Sequence, residues 1–206
     1  MLDLLDYRRR VAEMYSTVRR LGTESLEAFA HFQTARNELF ATHLSSALSD
    51  EQKATFKGLH YQPYDPRFRI TAEVQPIADA VTYHDDQVEE GTFRMRPFGR
   101  VEVELPTGRG QLTLYWILGY GGGVFLPFRD VSSGKTTYGG GRYLLDTIKG
   151  ADLGTDGGRI VLDFNYAYHP SCTYHPRWVC PLALTENWLP FEVPVGEQLP
   201  ENGYSL

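Results

Sequence analysis

The sequence predicts a mainly β, α+β protein: an antiparallel β-barrel or sandwich preceded by an N-terminal helical hairpin. Three observations predict it. Up to residue 58, apolar residues recur at gaps of three and four. Beyond it, short stretches alternate with period two. Glycine, proline, asparagine and aspartate separate those stretches at short intervals. At 206 residues the chain is long enough to bury a core without staples. Residues 1–58 are read as a helical segment packed on the main domain, and residues 59–206 as the antiparallel β domain.

In the first helix Leu4, Tyr7, Val11, Met14, Val18 and Leu21 fall on one face. Gly22 ends it, and Thr23 is placed to cap the next. The second helix carries Phe29, Phe32, Ala35, Leu39 and Phe40. The short loop makes the two antiparallel. Arg8, Arg9, Arg10, Arg19 and Arg20 lie mostly off the stripe, as on a solvated face. The stripe could alternatively serve as a partner-binding surface or a homodimer seam. Ser49-Asp-Glu-Gln52 reads as a capping box opening a third helix that ends at Gly58.

A turn-rich connector, Tyr61 to Arg67, leads into the strands. They are expected at Arg69–Val74, Ala80–His84, Thr92–Arg96, Arg100–Leu105, Gln111–Leu118, Val124–Phe128, Thr136–Asp146, Arg159–Phe164 and Trp188–Val193. Pro106-Thr-Gly-Arg-Gly110 reads as a hairpin loop.

The net charge of −6 supplies no basic stripe for nucleic acid or for an anionic membrane surface. No stretch approaches the roughly 20 apolar residues of a spanning helix. The first ten residues hold too short an apolar run for a secretory signal. Two cysteines are too few for a disulfide framework and suit a reducing compartment. A soluble cytoplasmic protein is therefore expected.

Ser132-Ser-Gly-Lys-Thr136 is not a phosphate loop, because Arg129 stands where the earlier glycine is needed and no helix pattern follows. Gly119-Tyr-Gly-Gly-Gly123 and Tyr138-Gly-Gly-Gly-Arg142 lack dinucleotide spacing. They read as tight turns or close backbone approaches. Arg142, followed by Tyr143, could present its planar fork to an anionic ligand. It could equally be the buried partner of Asp163 or Asp130.

The densest chemistry lies between Asp163 and Asn187. His169, Cys172, His175 and Cys180 are zinc-ligand types at local spacing, although the spacing matches no strong zinc signature. Cys172 and Cys180 could also form a disulfide, remain thiols, or supply a nucleophile with a histidine base. Asp163 and Asn165 share one strand face, which Tyr166 and Tyr168 could extend. Such a face is either a ligand wall or a satisfied network bracing a loop. Asn187 and Glu186 could cap that loop's backbone.

Phe128-Arg-Asp130, Gly134, Tyr138-Gly-Gly-Gly-Arg-Tyr143, Asp163-Phe-Asn165, Ala167-Tyr168, Pro170, Cys172, Tyr174, Cys180-Pro-Leu182, Glu186-Asn187 and Gly196-Glu197, with the Tyr64-Asp-Pro66 turn, together resemble a bacterial family. It is domain of unknown function sixteen-eighty-four. The resemblance covers nearly the whole chain and implies no established activity. His169 and His175 stand where the family pattern leads one to expect asparagine, which weakens the metal and cysteine–histidine readings. It leaves Asp163, Asn165, Tyr168, Cys172, Cys180 and Asn187 as the shared core, with Arg142 and Tyr143 beside it.

The functional expectation is a β-domain pocket for a small anionic or polar molecule. Arg142, Tyr143, Asp163, Asn165, Tyr168 and Asn187 would line it. A cysteine- or metal-dependent enzyme and an interaction module built on the helices are the rivals. The cofactor, if any, is left open, with zinc the one candidate.

Overall fold

In the computed structural model, residues 1–78, 83–85 and 93–200 are described. Helices α1 (Leu2–Leu21) and α2 (Leu26–Thr42) form the hairpin, followed by α3 (Asp50–Thr55). On α1 the buried residues are Val11, Met14, Tyr15 and Val18, whereas Leu4 is exposed because the first turn overhangs the core. Gly22 closes the helix at φ 86°. Ser25, not Thr23, caps α2 by accepting the Ala28 N–H. Thr23 is instead buried and meets Arg69 and Tyr166. The Ser49/Gln52 capping box forms as read, and α3 stops at Thr55, before Gly58.

The strands are β1 (His60–Tyr61), β2 (Arg69–Ala72), β3 (Gln75–Pro76), β4 (Tyr83–Asp85), β5 (Phe93–Leu105), β6 (Gly108–Ile117), β7 (Gly123–Phe128), β8 (Arg142–Asp146), β9 (Thr155–Asp156), β10 (Arg159–Asp163) and β11 (Glu197–Gln198). The main sheet runs β3-β5-β6-β7-β8, with β4 also on β5. A second sheet runs β2-β10-β9, and β1 pairs with β11. Every pairing between these strands is antiparallel among the described residues. The result is sandwich-like rather than a closed barrel.

Five strand expectations change. Thr92–Arg96 and Arg100–Leu105 are one strand, β5, carried past Pro97 by a bulge; Thr92 lies outside the described residues. Of Ala80–His84, residues 80–82 lie outside them, and β4 begins at Tyr83. Thr136–Asp146 yields only β8, because the preceding glycines form a turn. Trp188–Val193 is irregular and touches the sheet through an Arg129–Trp188 bridge. The β5–β6 turn is the two residues Pro106 and Thr107, tighter than read.

Two of the three apolar clusters among the described residues organise the fold, the third and smallest lying around Phe40, Leu48, Leu59 and Tyr174. In one, the helix pair packs on the sheet: Phe29 and Phe32 meet Tyr166 at ring distances of 5.5 and 4.9 Å, with Tyr115, Phe125, Tyr143 and Tyr168 in the same cluster. The other lies within the β region around Val101, Leu112, Phe128, Leu162 and Val193. Burying each such aromatic or aliphatic side chain contributes roughly 1.5–3 kcal/mol. Among the described residues, no helix is long and apolar enough to cross a membrane.

Candidate functional site

Arg142 opens β8 directly after Gly139–Gly141. Gly141 has φ +96°, and a Cβ there would collide with the Phe128 carbonyl. The Arg142 side chain is 1% exposed. Its guanidinium donates to Asp130 Oδ2 at 3.0 Å, to Val193 O at 2.9 Å and to Val195 O. Its carbon lies 5.0 Å from the Phe128 ring centre. Asp130 also accepts from the Val193 N–H at 2.7 Å and from the Ser132 hydroxyl at 2.6 Å. Of the two carboxylates that the sequence offered, Asp130 is thus the partner. The fork ties the β7–β8 edge to the C-terminal segment, and its donors point into protein.

Asp163 ends β10 and caps the turn Phe164–Tyr166, so the expected strand does not continue through Asn165. Asp163 Oδ1 accepts from the Asn165 N–H at 3.0 Å and its amide at 2.7 Å, while Oδ2 accepts from Tyr64 at 3.0 Å. Asn165 reaches across to Asp65, donating to its carbonyl at 2.8 Å and accepting its N–H at 2.9 Å. The pair braces the Tyr64-Asp-Pro66 turn. Burial pushes Asp163 up to about 6, against the pull of its three donors.

The Arg142 and Asp163 segments meet through a backbone bridge. Tyr143 N–H donates to Tyr168 O at 2.8 Å, and Tyr168 N–H donates back at 3.1 Å. Their rings stand 5.7 Å apart, and Phe125 lies 4.7 Å from Tyr143, so aromatic rings fill this junction. Arg142 and Asp163 belong to separate hydrogen-bond networks. The shared hollow expected between them is occupied by packing. Asn187 is likewise spent: its amide joins Thr113 to Pro127 with bonds of 2.7–2.9 Å.

A buried hub was not anticipated. Glu197 on β11 is fully buried and accepts from Arg36 at 2.9 Å, from the His169 N–H at 2.9 Å and from the Tyr174 hydroxyl. Arg36 also donates to Tyr61 at 2.7 Å and lies over the Phe32, Phe40 and Tyr168 rings. Burial would raise Glu197, yet Arg36, His169 and Tyr174 outweigh it and hold the carboxyl at about 2. One signal was legible. Phe32, Arg36 and Phe40 sit four apart, so this arginine lies inside an apolar stripe and needs a buried acid.

His169 is buried, and burial depresses its basicity. Its Nε2 accepts the Tyr138 N–H at 3.2 Å, and its Nδ1 lies 3.6 Å from Glu197. His175 Nδ1 accepts the Arg177 N–H at 3.1 Å. The two histidines therefore serve the backbone separately. Among the described residues, no group of three or more His, Cys, Asp or Glu is placed to hold a metal ion.

The cysteines differ from all of these. Both are free thiols and partly exposed. Cys172 lies on the turn Ser171–Thr173. The loop that carries Cys180 is pinned on two sides. Arg177 donates to the Ser46 and Leu48 carbonyls, and Trp178 donates to Ala47 at 2.9 Å. On the other side, Tyr143 donates to Pro181 at 2.5 Å, and Leu182 lies where a Gly140 side chain would otherwise stand. That close approach accounts for Gly140.

The Cys172 sulfur lies 3.6 Å from the Tyr138 hydroxyl. The Cys172 thiol, opposed by burial and helped by the Cys172 N–H, Lys149 and the Ser171 N–H, lowers Cys180 below the ordinary thiol value. The same contact pushes Cys172 up. Lys149 is 44% exposed and pairs with Asp146 at 2.8 Å. A thiolate among donors, beside a thiol and a half-exposed cation, can act as a nucleophile.

The match to the family model "Protein of unknown function (DUF1684)" covers residues 54–198, and the chain belongs to this family. The matched region excludes α1 and α2, so it is shorter than the near-complete coverage expected. No curated protein matches the chain. Among solved structures, the chain is similar to an uncharacterised protein of Haloarcula marismortui determined by solution NMR. The two are 28% identical, with 81% of this chain and 89% of that one covered, at a TM-score of 0.56.

Proposed function

We propose that this DUF1684 member is a thiol-dependent protein that binds a small polar or anionic molecule at the rim around Cys180. Cys180 is its nucleophile, Lys149 gathers negative charge, and Tyr138 with Cys172 supplies donors at the edge. The carrying observation is a contrast in how groups are used. Arg142, Asp163, Asn165 and Asn187 spend their polar atoms inside the fold. Cys172, Cys180 and Lys149 remain partly exposed. Tyr143 and Tyr168 support the rim from below rather than line it, and Tyr143 fixes the residue after Cys180.

Two alkylating probes of opposite charge character test this reading. Iodoacetate carries the anion that Lys149 should attract, and iodoacetamide does not. Lys149→Met should slow modification of Cys180 by iodoacetate several-fold more than by iodoacetamide. Equal slowing, or none, would remove Lys149 from the binding site. An unreactive Cys180 in the native protein would end the proposal.

A further inference from the structure

We infer that the hollow beside Arg129 and Trp188 binds a small organic acid, a single carboxylate carried on a compact apolar body. No residue of the cysteine rim takes part, so neither reading depends on the other.

The site begins with the backbone. Arg129 N–H donates to Asn187 O at 2.9 Å, and Leu189 N–H donates to Arg129 O at 2.8 Å, so Trp188 is clamped beside Arg129. Asn187 is itself fixed by its amide to Thr113 and Pro127. The Arg129 guanidinium carbon lies 3.9 Å from the Trp188 ring centre. Stacking at this distance orients the planar fork and leaves its N–H edge available. The arginine stem runs over the glycine turn before β8, where a Cβ on Gly141 would stand 2.9 Å from Arg129 Cγ.

The hollow holds about 410 Å³, within the roughly 300–1,000 Å³ of small-molecule sites. Val131, Trp188, Leu189 and Pro190 give it apolar walls, and Val131 and Trp188 are 43% and 48% exposed. Asp130 also borders it, but its carboxylate is buried and already used. One oxygen takes Arg142 and the Val193 N–H, and the other takes the Ser132 N–H and hydroxyl. Arg129 is therefore the one cation lining the hollow among the described residues, and no acid or carbonyl among them engages its guanidinium. A single fork matches one carboxylate with two parallel hydrogen bonds. With no second cation and with apolar walls, the hollow suits a monocarboxylate better than a phosphate dianion.

Nitrogen–proton NMR of the full chain tests the site, with the Trp188 indole resonance assigned by Trp188→Phe. Phenylacetate should shift that resonance saturably and bind on the order of tenfold more tightly than phenylacetamide, its neutral counterpart. Arg129→Met should bring phenylacetate down to the level of the amide while leaving the amide unchanged. Inorganic phosphate at equal concentration should not displace phenylacetate. No saturable shift at Trp188, or equal binding of acid and amide by the wild type, overturns the site, and this comparison holds even if Arg129→Met fails to fold. Undiminished phenylacetate binding by a folded Arg129→Met removes Arg129 and overturns it too. Displacement by phosphate overturns the ligand class.

Discussion

The polar interior and the cysteine rim lie close along the chain, yet they use their chemistry in opposite ways. Around Glu197, Asp130 and Asn187, buried donors meet acceptors on other elements. At the rim, two thiols and a lysine are partly exposed, and the lysine pairs with Asp146. The difference teaches that chemical density in a sequence does not itself mark a reactive site. A buried arginine bound to a carboxylate and to backbone carbonyls is architecture; a pair of partly exposed thiols keeps its sulfurs within reach of solvent.

The contrast predicts that substitutions in the interior reduce stability and those at the rim reduce reactivity. The largest effect is expected where one partner of a buried ion pair is removed. Glu197→Gln and Arg142→Met should each lose roughly 3–5 kcal/mol in denaturant unfolding, because the other charge is left buried and unpaired. If Arg142→Met unfolds as the wild type does, Arg142 is no strut.

Next is pH. Asp163 is raised from its ordinary 3.8 to about 6, so its charged form is disfavoured in the folded state. That cost is absent below 3.8 and complete above about 6, so its contribution lowers stability as pH rises through this window. Asp163→Asn should remove roughly 2–3 kcal/mol of pH dependence there, read as the difference between the two proteins' stability curves. Glu197 behaves in the reverse sense. Its stabilisation is present above its ordinary 4.5 and lost as pH falls towards about 2. A wild type that gains nothing relative to Asp163→Asn on mild acidification contradicts the assignment.

Smaller still, Asn187→Ala strips partners from Thr113 and Pro127 and should cost about 1–3 kcal/mol. At the rim, Cys180→Ser should leave thermal stability within about 0.5 kcal/mol of wild type. A large loss there would move the cysteines into the scaffold and erase the contrast.

The sequence exposed the local features better than the long-range ones. The helix pair and the Ser49/Gln52 box were legible because period and capping are encoded within a few residues. Strands β5 to β7 were legible by alternation, although Pro97 hid the continuity of β5 across its bulge. Pairing of β1 with β11 joins distant segments, and nothing in His60-Tyr61 announces it. At the site, both cysteines could be named from sequence, but Lys149 could not. A turn after β8 delivers it, and no local pattern ties it to Cys180. The Arg142–Asp130 pair stood among the alternatives; burial and geometry single it out. Glu197 followed a glycine and resembled an ordinary turn residue until its three donors were seen together.

The asymmetry between the two sulfurs is tested most directly by site-resolved alkylation with iodoacetamide from acid to alkaline pH, read by peptide mass spectrometry. Cys180 should be modified first, with a midpoint below the ordinary thiol value of 9.0, while Cys172 stays silent until beyond it. Modification of both cysteines in parallel, with one midpoint near 9.0, would contradict the account.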